Sequence, residues 1–271
     1  MLFLCPKCKK ELNIVDNTCR CAEGHSYDRA KGGYYNLLLG SSGGAHGDNR
    51  EMVEARRDFL NRGYYRPLAE KLSSLVLDCT PKCGAVLDAG CGEGYYTATV
   101  ESALKERDGE SFVSGFDISK EAVKRAAKAC SNITYAVAGS YHMPVGDETV
   151  DTLFNVFSPL ALDETHRVIK PGGYFIMVIP DEEHLFELKQ AIYDTPYKNT
   201  VEDTHIPGFS LVRRVDVKYT MHLDTPEAIS SLFMMTPYAY RTRPENKERI
   251  KGLRELDCRA EFIVFVYEKD K

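Results

Sequence analysis

Tryptophan is absent from the 271 residues, and no apolar run approaches the roughly 20 residues that a bilayer-spanning helix requires. The opening MLFLCPKCKK turns to charge after a handful of apolar positions, which is too few for a secretory leader. A soluble, cytoplasmic chain with no membrane partner is the expectation. Positive charge is also scarce. Lys and Arg number 35 against 40 Asp and Glu, a formal charge of −5 that disfavours an overall nucleic-acid-binding surface. The deficit is uneven, however: residues 1–72 carry 12 basic and 9 acidic side chains, residues 73–271 carry 23 and 31. Only the amino-terminal quarter is basic, and its small excess steers weakly toward phosphates. Cysteine is plentiful by contrast. Nine thiols without a leader argue against a secreted disulfide scaffold, so they are sought as metal ligands or core residues.

With 43% hydrophobic residues the chain can build one large domain and a small appendage. Residues 1–36 read as a knuckle too small to hold together without a staple. Residues 37–80 read as linker and helices. The glycine- and serine-rich stretch 32–49 is a loop, expected to be mobile in its second half. Asp48 or Asn49 would cap a helix through EMVEARRDFLN, ended by Gly63, and a second helix covers about Tyr65 to Leu77 with Pro67 in its first turn. From residue 81 to 271 strands and helices alternate: AVLDAG, SFVSGFDI, ITYAVAG, TVDTLFNVF and GGYFIMVIP are apolar strands separated by helices such as EAVKRAAKAC. That alternation predicts an α/β, Rossmann-like fold with a mostly parallel, seven-stranded sheet, closed by an antiparallel edge from SLVRRVDVKYTMHL and EFIVFVYEK.

The first of these strands carries Asp88 at its end and runs into Gly90, Gly92 and Gly94. Glycines at alternate positions let backbone approach a ligand and take positive φ, and the next helix points its amino terminus at that ligand. Asp117 closes the second strand, 23 residues beyond Gly94, where an acid can hold the two ribose hydroxyls of an adenosine cofactor. A dinucleotide fingerprint would read G-x-G-x-x-G, which these glycines do not match. A carboxylate at Asp88 would repel a pyrophosphate but attract the ammonium of S-adenosylmethionine. Later landmarks agree: Gly139-Ser140, Met143-Pro144, Asp147, Asp151 and Lys170-Pro171-Gly172-Gly173. Together they resemble the Class I S-adenosylmethionine-dependent methyltransferases over roughly residues 84–180. Ile118, Ser140 and Asn155 join Asp88, the three glycines and Asp117 as expected cofactor contacts.

Cys5 and Cys8 form C-x2-C, and Cys21 and His25 form C-x3-H twelve residues later. Three thiolates and an imidazole suit a closed tetrahedral Zn2+ site, structural in kind because no coordination position is left open. Cys19 competes as third ligand; Cys21 is preferred because it shares a turn with His25.

The combination narrows the family. CPKC, CAEGHSYDRAKGGYYNLL, EMVEARRDFLNRGYYRPL, VLDAGCGEGYYT, HMP, RVIKPGG and HLFELK resemble the 23S rRNA guanine-N1 methyltransferases of the RlmA type across most of residues 5–190. The resemblance implies the same four zinc ligands, S-adenosylmethionine as donor, and cofactor contacts from Tyr65, Tyr96, Thr97 and His184. Its acceptor would be a 23S rRNA hairpin. Guanine N1 lies on the Watson–Crick edge, so the base must be unpaired or turned out. Phe157 is placed to stack on it and Asn155 to bond its edge, while the stretch lacks the asparagine-prolyl-prolyl-aromatic signature of amino-group methyltransferases. No general base is assigned. Lys7, Lys9, Lys10, Arg20, Arg29 and Lys31 would meet phosphates, Tyr27, Tyr34 and Tyr35 would stack, and Arg56, Arg57, Arg62 and Arg66 would extend the track. A homodimer would raise the avidity of so small a reader. On this reading, deleting residues 1–40 leaves a folded, donor-binding domain. Two rivals differ in acceptor or turnover: a small-molecule methyltransferase of the same fold, which would not need the knuckle, and an RNA-binding protein without turnover, which would not need both acids.

Overall fold

Strand periodicity and caps place the elements of the computed structural model, which describes residues 1–39, 47–201 and 204–271. Residues 40–46, most of the half of the glycine-serine loop expected to be mobile, lie outside the described residues. Three short strands, β1 (Asn13–Val15), β2 (Thr18–Arg20) and β3 (Ser26–Asp28), form a small antiparallel sheet. β4 (Tyr35–Asn36) leaves it and pairs in parallel with β7 (Thr134–Val137).

Two helices follow. α1 (Arg50–Asn61) is capped by Asn49, whose side chain accepts a hydrogen bond from the Met52 N–H, and α2 (Arg66–Cys79) carries Pro67 in its first turn. The doubly wound unit contains β5 (Ala85–Ala89), α3 (Tyr95–Arg107), β6 (Phe112–Asp117), α4 (Lys120–Ala129) and β7, then β8 (Val150–Val156), α5 (Leu162–Val168) and β9 (Ile169–Pro180). After α6 (Phe186–Ile192), the chain completes its edge with β10 (Phe209–Leu223) and β11 (Leu256–Lys269), separated by α7 (Pro226–Met234), α8 (Tyr238–Arg241) and α9 (Pro244–Lys251).

The sheet order is β10-β11-β9-β8-β5-β6-β7-β4. The strands from β4 to β9 run parallel, and β11 and β10 are antiparallel additions. Seven strands match the expected sheet. The eighth is the two-residue β4, contributed by the amino-terminal module. Strand order reverses between β5 and β8, which opens a crevice at their carboxyl ends. Every residue of β5 is buried, as a central strand covered on both faces requires. No helix among the described residues is long and apolar enough to cross a membrane.

Candidate functional site

A cavity of about 1360 Å³ lies along the carboxyl ends of β5 to β9, where the switch in strand order leaves the sheet uncovered. Asp88, Gly90, Gly92, Tyr96, Asp117, Ile118, Ser140, Tyr65 and His184 all line it. The glycine positions are sterically enforced. Gly90, Gly92 and Gly94 have φ of 90°, 54° and 86°. A Cβ on Gly90 would sit 2.1 Å from Ser158 Oγ, and one on Gly94 would sit 2.8 Å from both the Ala126 Cβ and the Tyr135 hydroxyl. At Gly92 the nearest atom would be Arg56 Nη1 at 3.8 Å, so there the conformation excludes a side chain, not crowding.

Two carboxylates anchor this end. Asp88 is 2% exposed, and its Oδ2 accepts a 2.6 Å hydrogen bond from Thr97 Oγ1. Burial pushes its carboxyl up to about 8, only partly offset by Thr97 and reinforced by Asp117 and Glu93. Asp117 accepts from the Gly92 N–H at 3.0 Å and the Ser119 N–H at 2.7 Å, and burial raises it against those two bonds. A cation faces these acids. Arg56 of α1 pairs with Asp48 and is the guanidinium nearest Gly92. It therefore turns into the cavity, which corrects its expected place on a phosphate track, while Arg57, Arg62 and Arg66 are exposed.

Tyr65 and His184 act together. Tyr65 Oη and His184 Nε2 are 3.3 Å apart, both groups are buried, and His184 Nδ1 accepts from the Glu261 N–H at 3.3 Å. With Nδ1 an acceptor, Nε2 carries the proton and donates to Tyr65, leaving the phenol hydrogen free for a ligand. Burial holds the imidazole down to about 3, so it stays neutral across the physiological range. The Tyr96 hydroxyl is buried with no partner among the described residues, a polar atom left for whatever fills the cavity.

Three expected contacts stand behind the wall. Thr97 acts through Asp88, and Gly94 packs against α4. Asn155 does not line the cavity, which departs from its expected role. Its amide donates to Ala89 O at 3.2 Å and accepts from the Ser158 N–H at 3.2 Å, tying the end of β8 to the end of β5. Phe157, beyond it, has φ of 56° and is 44% exposed at the cavity, a strained position for a bulky residue.

At the other end of the chain, Cys5, Cys8, Cys21 and His25 bring their ligand atoms within 4.8 Å of one another. The Cys8 and Cys21 sulfurs are 3.5 Å apart, and His25 Nδ1 is 3.5 Å from Cys5 Sγ and 3.4 Å from Cys21 Sγ. Ligands of a tetrahedral zinc at about 2.0–2.3 Å stand roughly 3.3–3.8 Å apart, so the set fits that ion. Burial opposes ionisation of Cys5, but the Tyr27 hydroxyl and backbone N–H groups outweigh it and hold the thiol down to about 6. Cys19 is buried elsewhere, against Met1.

The module's tyrosines depart from the stacking role expected of them. Tyr34 and Tyr35 are each 4% exposed, and Tyr27 hydrogen-bonds Cys5 at 3.2 Å. Its lysines at 7, 9, 10 and 31, with Arg20 and Arg29, are exposed. Pro6 and Lys9 line the cavity itself, a proximity no sequence signal announces.

Comparison with known proteins gives the same two-part picture. A family model described as a methyltransferase domain matches residues 82–230, and a zinc-ribbon model described as RlmA, N-terminal, matches residues 3–39. A 23S rRNA (guanine(748)-N(1))-methyltransferase of Streptomyces fradiae is 32% identical, covering 96% of this chain and 95% of its own. A Bacillus subtilis protein named for 23S rRNA (guanine-N1) methylation is 30% identical, covering 98% and 96%. A solved Bacillus halodurans protein described as a methyltransferase superposes over 75% of this chain and 99% of its own, with a TM-score of 0.51 and 16% identity, a likeness of fold.

Proposed function

Since the chain belongs to the 23S rRNA (guanine-N1)-methyltransferases, we propose that it methylates N1 of one guanine in a 23S rRNA hairpin, using the cavity at the β5–β8 switch point. Likeness along nearly the whole length, zinc ribbon included, carries this reading. S-adenosylmethionine supplies the methyl group on its electrophilic sulfonium.

In this assignment Asp88 takes the donor's ammonium and Asp117 its ribose hydroxyls, with Ile118 and Ser140 beside the adenine. Tyr65, held by His184, gives a hydroxyl donor, and Tyr96 a second. Gly90 and Gly92 let the loop close on the donor, while Gly94, Thr97 and Asn155 hold the wall. Such fixed placement is the main contribution expected for a transfer in which the sulfur–carbon bond breaks as the nitrogen–carbon bond forms. The N1 proton leaves to solvent. Phe157, open to cavity and solvent, suits stacking on the extruded base.

The zinc ribbon, closed around Cys5, Cys8, Cys21 and His25, would present its lysines to phosphate beside that opening. Pairing of two chains would double this grip, and an rRNA substrate implies a cytoplasmic location. Incubation with tritiated S-adenosylmethionine and rRNA from a strain lacking the gene should label RNA, and a primer-extension stop should fall at one guanine. Label confined to small metabolites, or donor binding without transfer, would reject the reading.

The donor half is separately testable. Asp117→Ala removes a charged acceptor worth about 1.5–3 kcal/mol, so donor affinity should fall roughly tenfold to a hundredfold by calorimetry. Unchanged affinity would remove Asp117 from the site.

A further inference from the structure

One wall of the cavity, beside α8, is the segment that follows α6, and a lysine holds that segment from beneath. Lys189 is 0% exposed. Its Nζ donates to Tyr197 O at 3.0 Å and Asn199 Oδ1 at 2.6 Å, and lies 4.6 Å from the Tyr197 ring centroid and 5.6 Å from that of Tyr238. Tyr197, Asn199 and Tyr238 all line the cavity. Asn199 is fixed in turn, its Nδ2 donating to Asp181 O at 2.7 Å and its backbone N–H to Glu182 O at 2.8 Å.

No carboxylate neutralises this ammonium among the described residues. The surrounding acids are committed elsewhere: Asp181 to Lys218, Glu183 to Lys198 and Arg259, Glu187 to Arg259, and Asp194 to Arg249. A buried cation without a counter-ion is costly, and an apolar side chain would fill the same volume at less expense. What an apolar residue could not do is supply donors to Tyr197 O and Asn199 Oδ1.

We propose that Lys189 is a positioning residue for the methyl acceptor: it pins the Tyr197–Asn199 segment as the wall against which the guanine is delivered. Tyr197 is 50% exposed while lining the cavity, so its ring is open to a nucleobase. The inference rests on the function proposed above.

Lys189→Met should lower kcat/KM for RNA tenfold or more, because a displaced wall spoils alignment. Donor affinity by calorimetry and the melting temperature should change little. Tyr197→Ala, a change at an exposed side chain, should reproduce the defect alone, and the double variant should be scarcely worse than either single one. If Lys189→Met does not fold, Asn199→Ala replaces it in the cycle. An unaffected Tyr197→Ala, additive losses, or a parallel fall in donor affinity would each overturn the proposal. The premise has its own control: a wild-type enzyme that labels no rRNA defeats the functional reading, whereas additivity in an enzyme that does label it defeats only the role of Lys189.

Discussion

Cys8→Ser is expected to abolish zinc binding and RNA methylation together and to lower the melting temperature of the whole chain. A serine hydroxyl does not ionise near neutrality and cannot replace a thiolate, so the tetrahedral set of Cys5, Cys8, Cys21 and His25 loses a corner. Structural zinc contributes about 10–16 kcal/mol to the folding of small modules of this kind, far more than three strands of three residues can supply. The damage will not stop at the module. Phe3 bridges to Val145, the Leu4 N–H donates to Pro144 O at 2.7 Å, and Leu2, Phe3, Leu12 and Tyr35 share one buried cluster with Ala138, Met143 and Val145. These contacts correct the expectation that residues 1–40 can be removed cleanly. Deletion would strip β4 from the sheet and bare an apolar face, so the point variant is the sounder experiment. Donor affinity should hold within about tenfold, because Asp88 and Asp117, the charged donor ligands proposed here, stand at the ends of β5 and β6, strands that do not pair with the module. Metal content by mass spectrometry, donor calorimetry and the tritium assay read the three effects. Full metal content would remove Cys8 from the site, and full RNA activity without zinc would remove the ribbon from catalysis.

The parts of this arrangement that could be read in the sequence are those in which spacing carries chemistry. A buried strand running into Asp88 and three alternate glycines has few physical explanations, and the same holds for C-x2-C followed by C-x3-H. Asn49 could be read as a cap because side chain and apolar period coincide there. What stayed hidden depends on tertiary packing. β4 is two residues long and shows no alternation to detect. Tyr34 and Tyr35 look like stacking groups in a basic context, yet lie under the module where it meets the sheet. Arg56 sits among other helix arginines, and only the approach of α1 to Gly92 turns it inward. Lys189 occupies a helix in which lysine ordinarily marks the solvent face, so its burial follows from the fold of residues 193–201, which carry little periodicity. Asn155 stands at the strand end that the pattern marks, but hydrogen-bond partners, invisible in sequence, direct its amide to backbone.

Asp88→Asn should yield a protein that is more stable at pH 8 and binds the donor about tenfold to a hundredfold more weakly, from the loss of a charged partner worth about 1.5–3 kcal/mol. The stability effect follows from linkage. Burial raises the Asp88 carboxyl from the ordinary carboxylate range to about 8. Its contribution to folding is therefore fully present below pH 4 and lost as pH rises through 8, because the unfolded chain ionises more easily than the folded one. Asparagine has no such titration, so its melting temperature should lack that part of the decline. The donor effect has the opposite sense. Holding an ammonium requires Asp88 ionised, so below pH 8 binding must expel a proton, and affinity should rise with pH. Above about pH 8 the donor's own α-amino group deprotonates and affinity should turn down. Wild-type affinity should thus peak near pH 8. Calorimetry at pH 7 in buffers of different ionisation enthalpy should record proton release that Asp88→Asn diminishes. Identical proton counts in the two proteins would mean that Asp88 does not face the ammonium, and that this acid of β5 only braces Thr97 and the helix behind it.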